Sequence, residues 1–218
     1  MASVNAEMMP MRRQPRRRGW LLGAAVIAFI AAAGLDTAVV SIGTPADQRE
    51  AAFDPVGFGN EHFPQIRDYV LDNAVDAGTL SEAIDADSSA AATEYGVSAG
   101  VGAIIPVHFT GTVGAGSNRA FTVQVDGLPA GRSIRVQTGP AINGTDLRDA
   151  TGTIRFGQFT NQIEYQDAGS GINNAMKAAV FADLDREALP GQTLEVTGVF
   201  RLINPDNWFV TPVALEVR

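Results

Sequence analysis

The chain contains no cysteine, which removes disulfides, thiolate metal ligands and cysteine nucleophiles together. Histidine is nearly as scarce. His62 and His108 are the only two and lie far apart in sequence, whereas a zinc-type site needs several clustered ligands, so no metal is expected. No glycine-rich phosphate loop leads into a helix, and no Gly-x-Ser-x-Gly elbow or paired-carboxylate motif stands out. No catalytic residue and no cofactor are therefore expected. Positive charge is also short beyond the first 18 residues, where 11 basic side chains face 23 acidic ones. A body that acidic repels phosphate backbones, which argues against nucleic acid as a partner.

Long apolar runs are absent with one exception. Residues 19–35, from Gly19 to Leu35, carry no charge, and as a helix they would extend roughly 26 Å at ~1.5 Å per residue. That is just short of the ~30 Å hydrocarbon core of a bilayer, and Thr37–Ile42 could complete the span. Five arginines (Arg12, Arg13, Arg16, Arg17 and Arg18) precede the run and Trp20 opens it. This arrangement keeps the N-terminus cytoplasmic and sends the remainder outward. The expectation is a basic cytoplasmic segment 1–18 and a signal anchor over 19–42 in the inner membrane, with the body in the periplasm. The alternative is a signal peptide cut near Ala33, within Ala31-Ala32-Ala33, which releases a soluble periplasmic form.

Residues 43–96 read as a linker and short helices, a subdomain too small for a core of its own. Pro64 suits a first helical turn, and Phe63, Ile66, Tyr69, Val70 and Ala74 recur at helical spacing. Thr79 with Glu82 fits a capping box, Asp87 fits a cap, and Gly96 fits a stop. From Val97 the period becomes two. Ile105, Val107, Phe109 and Val113 alternate with polar neighbours or Pro106. Phe121, Val123 and Val125 follow, then Ile134 and Val136. A helical stretch with Ile172, Met176, Ala179 and Val180 on one face comes next. Two strands then carry Leu194, Val196, Phe200 and Leu202, and Trp208 to Val217. Pro212 in the last of these requires an edge or a bulge. Three strands, a helix and two strands give the element order of an OB-fold. The expected class is mainly β with helices: an OB-like five-stranded barrel over 97–218, preceded by the membrane segment and the small helical subdomain.

The polar stretch Gly139-Pro140-Ala141-Ile142-Asn143-Gly144-Thr145-Asp146-Leu147-Arg148-Asp149-Ala150, continuing through Ile154-Arg155-Phe156-Gly157-Gln158-Phe159 to Tyr165, is distinctive. It resembles a family of predicted bacterial periplasmic lipoproteins known only as a domain of unknown function. The resemblance runs from about Phe53 to the C-terminus. It implies an envelope location, often with genes beside sugar-type ABC transporters, and it carries over no catalytic residues. The family's lipoprotein members have a cysteine after the apolar segment, which this chain lacks, so attachment here would fall to the apolar segment itself.

The same stretch holds the candidate ligand-binding residues: Thr145, Asp146, Arg148 and Asp149 before the helix, and Asn161, Gln162 and Glu164 at its start. The rigid arginine fork suits a carboxylate or sugar hydroxyls. A structural reading stands beside this one, in which Asn161 and Glu164 cap the helix and Arg148 pairs with a neighbouring acid. The functional expectation is a non-catalytic envelope protein, an accessory binding module whose partners are the inner membrane and ABC transporter components or a small solute. The alternatives are an envelope enzyme acting on glycan or peptide, and a nucleic-acid-binding OB domain.

Overall fold

The computed structural model describes residues 17–36, 53–117 and 119–218. The chain divides into two units, Met1–Ala51 and Ala52–Arg218. In the first, helix α1 covers Arg17–Asp36, with exposed side chains from Gly23 to Ala33. Among the described residues no helix is long and apolar enough to cross a membrane. Most of the basic segment 1–18, the anchor's end at 37–42 and most of the linker lie outside the described residues.

The second unit opens with α2 (Pro55–Asn73). Asp54 caps it by accepting from Val56 N, with proline at the first turn as its missing N–H permits. This moves the helix start nine residues ahead of Pro64, which sits inside the helix. Strand β1 (Val75–Asp76) leads into α3 (Ala77–Tyr95). Here the cap is Asp76, accepting from Gly78 N and Thr79 N, and not the Thr79–Glu82 pair. An aspartate three residues earlier reaches the free amides of the first turn, so Thr79 is a donor to the cap. Asp87 does act as a cap: at φ −160° it kinks α3 and accepts from Ser89 N and Ala90 N. Gly96 ends the helix.

The strands β2 (Val97–Ser98), β3 (Ala103–Gly116), β4 (Ala120–Gln124), β5 (Ser133–Gln137), β6 (Thr193–Leu202) and β7 (Asn207–Val217) form the sheet together with β1. Five of them close on themselves in the order β3-β4-β5-β7-β6, with β6 returning to β3. Every pair in this ring is antiparallel except β5–β7. The polar segment between β5 and β6 contains α4 (Asp146–Asp149), a 3-10 turn (Phe156–Gln158) and α5 (Gln162–Val180). A closed ring has no edge to accommodate Pro212. The β6–β7 register accordingly shifts there, with Gly198 opposite Pro212 and Thr197 opposite Ala214.

Alternation sorts side chains into two cores. Val107, Phe109, Phe121, Val123, Ile134, Val136, Val196, Phe200, Trp208 and Val210 fill the barrel, and Phe200 stacks on Trp208 with centroids 4.6 Å apart. Leu80 and Ile84 of α3 belong to the same core, each worth about 1.5–3 kcal/mol when fully buried. Arg132 fastens α3 there. Its side chain is 1% exposed and it reaches Asp85 at 2.6 Å, the Ser81 carbonyl at 3.1 Å and the Ser81 hydroxyl. The outward residues Ile104, Val199 and Val213 join Phe63, Ile66 and Val70 of α2, Leu147 of α4, and Ile172 and Met176 of α5 in the second core. Ala179 is exposed, and Ala168 completes the buried stripe of α5. Helices α2 and α5 approach closely enough that a Cβ on Gly171 would lie 1.9 Å from the Pro55 carbonyl oxygen. This packing holds the middle of α5 against the start of α2.

Candidate functional site

Helix α4 is a single turn. Gly144, at φ 109°, supplies the left-handed residue that turns the chain into it, and Asn173 of α5 donates to the Gly144 carbonyl at 3.0 Å. The turn places Thr145, Asp146, Arg148 and Asp149 around one point. The Thr145 hydroxyl donates to Asp149 Oδ2 at 2.8 Å. Arg148 is 6% exposed. It donates from Nε to Asp149 Oδ1 at 2.8 Å and from Nη1 to the Tyr165 carbonyl at 3.0 Å, and its guanidinium lies 3.5 Å from the Tyr165 ring centroid. Such stacking is a property of the planar arginine head that lysine does not share.

Arg201, which was not among the sequence candidates, organises the other side. From β6 its Nε donates to Asp146 at 3.1 Å and its Nη2 to Asp149 Oδ2 at 2.9 Å. Its Nη1 donates to the carbonyls of Ala99 and Val101, at 2.7 and 3.2 Å. One guanidinium thus ties α4 to the loop between β2 and β3. The network balances two arginines against two aspartates, the condition for tolerating charge away from water. Burial pushes the Asp146 carboxyl above its ordinary value; the Arg201 charge and hydrogen bond oppose the rise and the Asp149 charge adds to it.

Above the network lies a cleft of about 460 Å³, lined by Ser98–Gly100, Arg148, Asp149, Gly152, Ile154, Arg155 and Tyr165. Arg155 is exposed. Its Nε donates to the Gly152 carbonyl at 3.4 Å, and among the described residues no carboxylate lies within ion-pair distance of it. The cleft therefore presents one uncompensated cation beside an aromatic ring and a wall of fixed hydrogen-bonding groups. That combination suits an anionic or hydroxyl-rich group.

The seven sequence candidates divide. Thr145, Asp146, Arg148 and Asp149 come together in the network. Asn161, Gln162 and Glu164 are outside the cleft lining, at the start of α5, where Asn161 and Gln162 are exposed and Glu164 is half-buried. Asn161 Oδ1 accepts from Ile163 N and Glu164 N, and Glu164 Oε2 accepts from Thr160 N, a cap of the expected kind. The cleft instead uses the next residue, Tyr165. Of the histidines, His62 stacks on Phe58 at 3.9 Å within α2, and His108 is exposed on β3.

The ring order, with one parallel pair and a helix between its third and fourth strands, defines an OB-fold. An OB-fold protein from Thermotoga maritima, known from a crystal structure, superposes with a TM-score of 0.61 at 18% identity, covering 77% of this chain and 100% of that one. The chain belongs to the family DUF2291, described as predicted periplasmic lipoproteins, whose model matches residues 25–216. The family points to the periplasm, and the missing cysteine sets this member apart from its lipoprotein form. No curated protein matches the chain.

Proposed function

We propose that this protein is a non-catalytic accessory binding module of the bacterial envelope, serving a sugar-type ABC uptake system through the cleft above α4. The supporting observation is the contrast within that cleft. Arg148 and Arg201 are committed to Asp146 and Asp149, while Arg155 stands at the rim without an acid. The internal pairs hold the wall rigid, which lowers the ordering cost of binding, and Arg155 supplies attraction in an otherwise acidic body. The ABC assignment rests on the genomic habit of the family, an association and not a contact. Residues 19–42 act as the inner-membrane anchor in this reading, and cleavage near Ala33 would leave the same module soluble in the periplasm.

The test is a pull-down of the full chain against detergent-solubilised envelope proteins, with Arg155→Ala as the comparison. The wild type should retain a transporter component that the variant loses, with equal melting temperatures. Capture of no transporter component by the wild type, or equal capture by both, would overturn the assignment.

A further inference from the structure

A second cavity lies apart from that cleft, between the end of β5, the C-terminal half of α5 and the segment leading into β6. It has a volume of about 420 Å³, and its lining includes Thr138, Pro140, Lys177, Phe181, Leu184 and Arg186. We propose that it is a binding site for a small apolar carboxylate, an anion with a compact hydrocarbon or aromatic body.

Three observations carry the proposal. The first is charge. Lys177 is the only lysine in a chain of 24 acidic and 16 basic side chains. It is half-buried, and among the described residues no carboxylate lies within ion-pair distance of it. Among the described residues no aspartate or glutamate lines the cavity. The second is Thr138, which is 1% exposed and whose hydroxyl, among the described residues, meets no hydrogen-bonding group. Buried hydroxyls are almost always satisfied, and Thr138 lines the same cavity as Lys177. A carboxylate would accept from both, a charge-assisted arrangement. The third is the rest of the wall. Pro140, Ala178, Phe181 and Leu184 are apolar, which favours an anion carrying a hydrocarbon body over free phosphate.

The cavity is also framed by fixed groups. Thr138 N and Gly139 N both donate to the Arg119 carbonyl, at 3.1 and 3.0 Å. Arg186 donates to the Ser117 carbonyl at 3.4 Å with its head 5.7 Å from the Phe121 ring centroid. A lysine in the last turn of α5 suits the helix dipole. That accounts for a base at the helix end, but not for an acid-free apolar cavity with an orphan hydroxyl.

Because Lys177 is unique, a full chain labelled with 13C-lysine gives one lysine side-chain signal that reports this site alone. Benzoate should shift that signal saturably, and benzyl alcohol, of similar shape without the charge, should bind at least about tenfold more weakly. Inorganic phosphate should produce no saturable shift. Thr138→Val removes the hydroxyl at nearly constant shape. It should melt no lower than wild type, because no hydrogen bond is lost, and should weaken benzoate by about five- to tenfold. Arg155→Ala should leave the titration unchanged, so the outcome is independent of the cleft. The proposal is overturned by any one of three results: no saturation up to about 10 mM benzoate, equal affinity for benzyl alcohol, or full affinity in Thr138→Val.

Discussion

Replacing Asp149 with alanine removes the acid that two guanidiniums share. Arg148 loses its ion-pair partner, with the two side chains 7% and 12% exposed, and Arg201, at 18%, keeps only Asp146. At that burial, solvent screening offsets little of the loss, and stripping one partner from a buried pair costs about 3–5 kcal/mol. The described body spans Ala52–Arg218, a size for which each kcal/mol moves the melting temperature by about 2–4 °C. The expected drop is therefore about 6–20 °C. The double variant Arg148→Met/Asp149→Ala should recover part of it, because the uncompensated charge leaves with the arginine. The assay is a thermal melt paired with urea unfolding, so that a change in slope can be separated from a change in stability. A drop below about 2 °C at unchanged slope would refute the network as a stabilising element. So would a double variant no better than the single one.

Three further outcomes follow from the same geometry. The Asp146 carboxyl is raised in the folded state, so the protein holds that proton more tightly than the unfolded chain does; the associated stability is complete below the ordinary value of 3.8 and is lost as pH rises through the raised one. In melts across that window, wild type should gain on Asp146→Asn as the solution is acidified, and a gap moving the other way would contradict the assignment. Phe200→Ala, at 0% exposure against Trp208, should cost about 3–5 kcal/mol, whereas Glu195→Ala on the outer face should stay within about 0.5 kcal/mol; similar costs in a denaturant melt would place Phe200 outside the core. Gly171→Ala should cost about 1–3 kcal/mol by forcing α2 from α5, and a neutral result would mean the helices are not in contact at Pro55.

The barrel was legible because most of its strand length carries a period of two, although 103–107, 198–200 and 210–213 are buried on both faces. Val107, Phe109, Phe121, Val123, Val196 and Phe200 could be assigned inward from alternation alone, and Pro212 announced the irregularity that the β6–β7 register contains. Helix α3 shows where that reasoning stops. Leu80 and Ile84 carry an ordinary helical stripe, and nothing local states that the stripe enters the barrel core. The caps at Asp54 and Asp76 were missed because Pro64 and Thr79 offered equally good local chemistry further along. At the site, Thr145, Asp146, Arg148 and Asp149 were legible as a polar cluster because they lie close together in sequence, but not as the single helical turn that gathers them. Arg201 was not, because it lies 52 residues from Asp149 and on its strand reads as an ordinary outward polar residue. Tyr165 was passed over because the polar residues just before it in α5 drew the site reading to themselves. Arg155, set apart from both polar clusters, gave no local signal of the cleft.

Native mass spectrometry of the full chain, released from its own envelope in mild detergent, tests the cleft as a binding site most directly. The account predicts a bound mass on the wild type that is absent from Arg155→Ala, with the two melting together. A wild type that emerges bare, or a variant that carries the same bound mass, would contradict it.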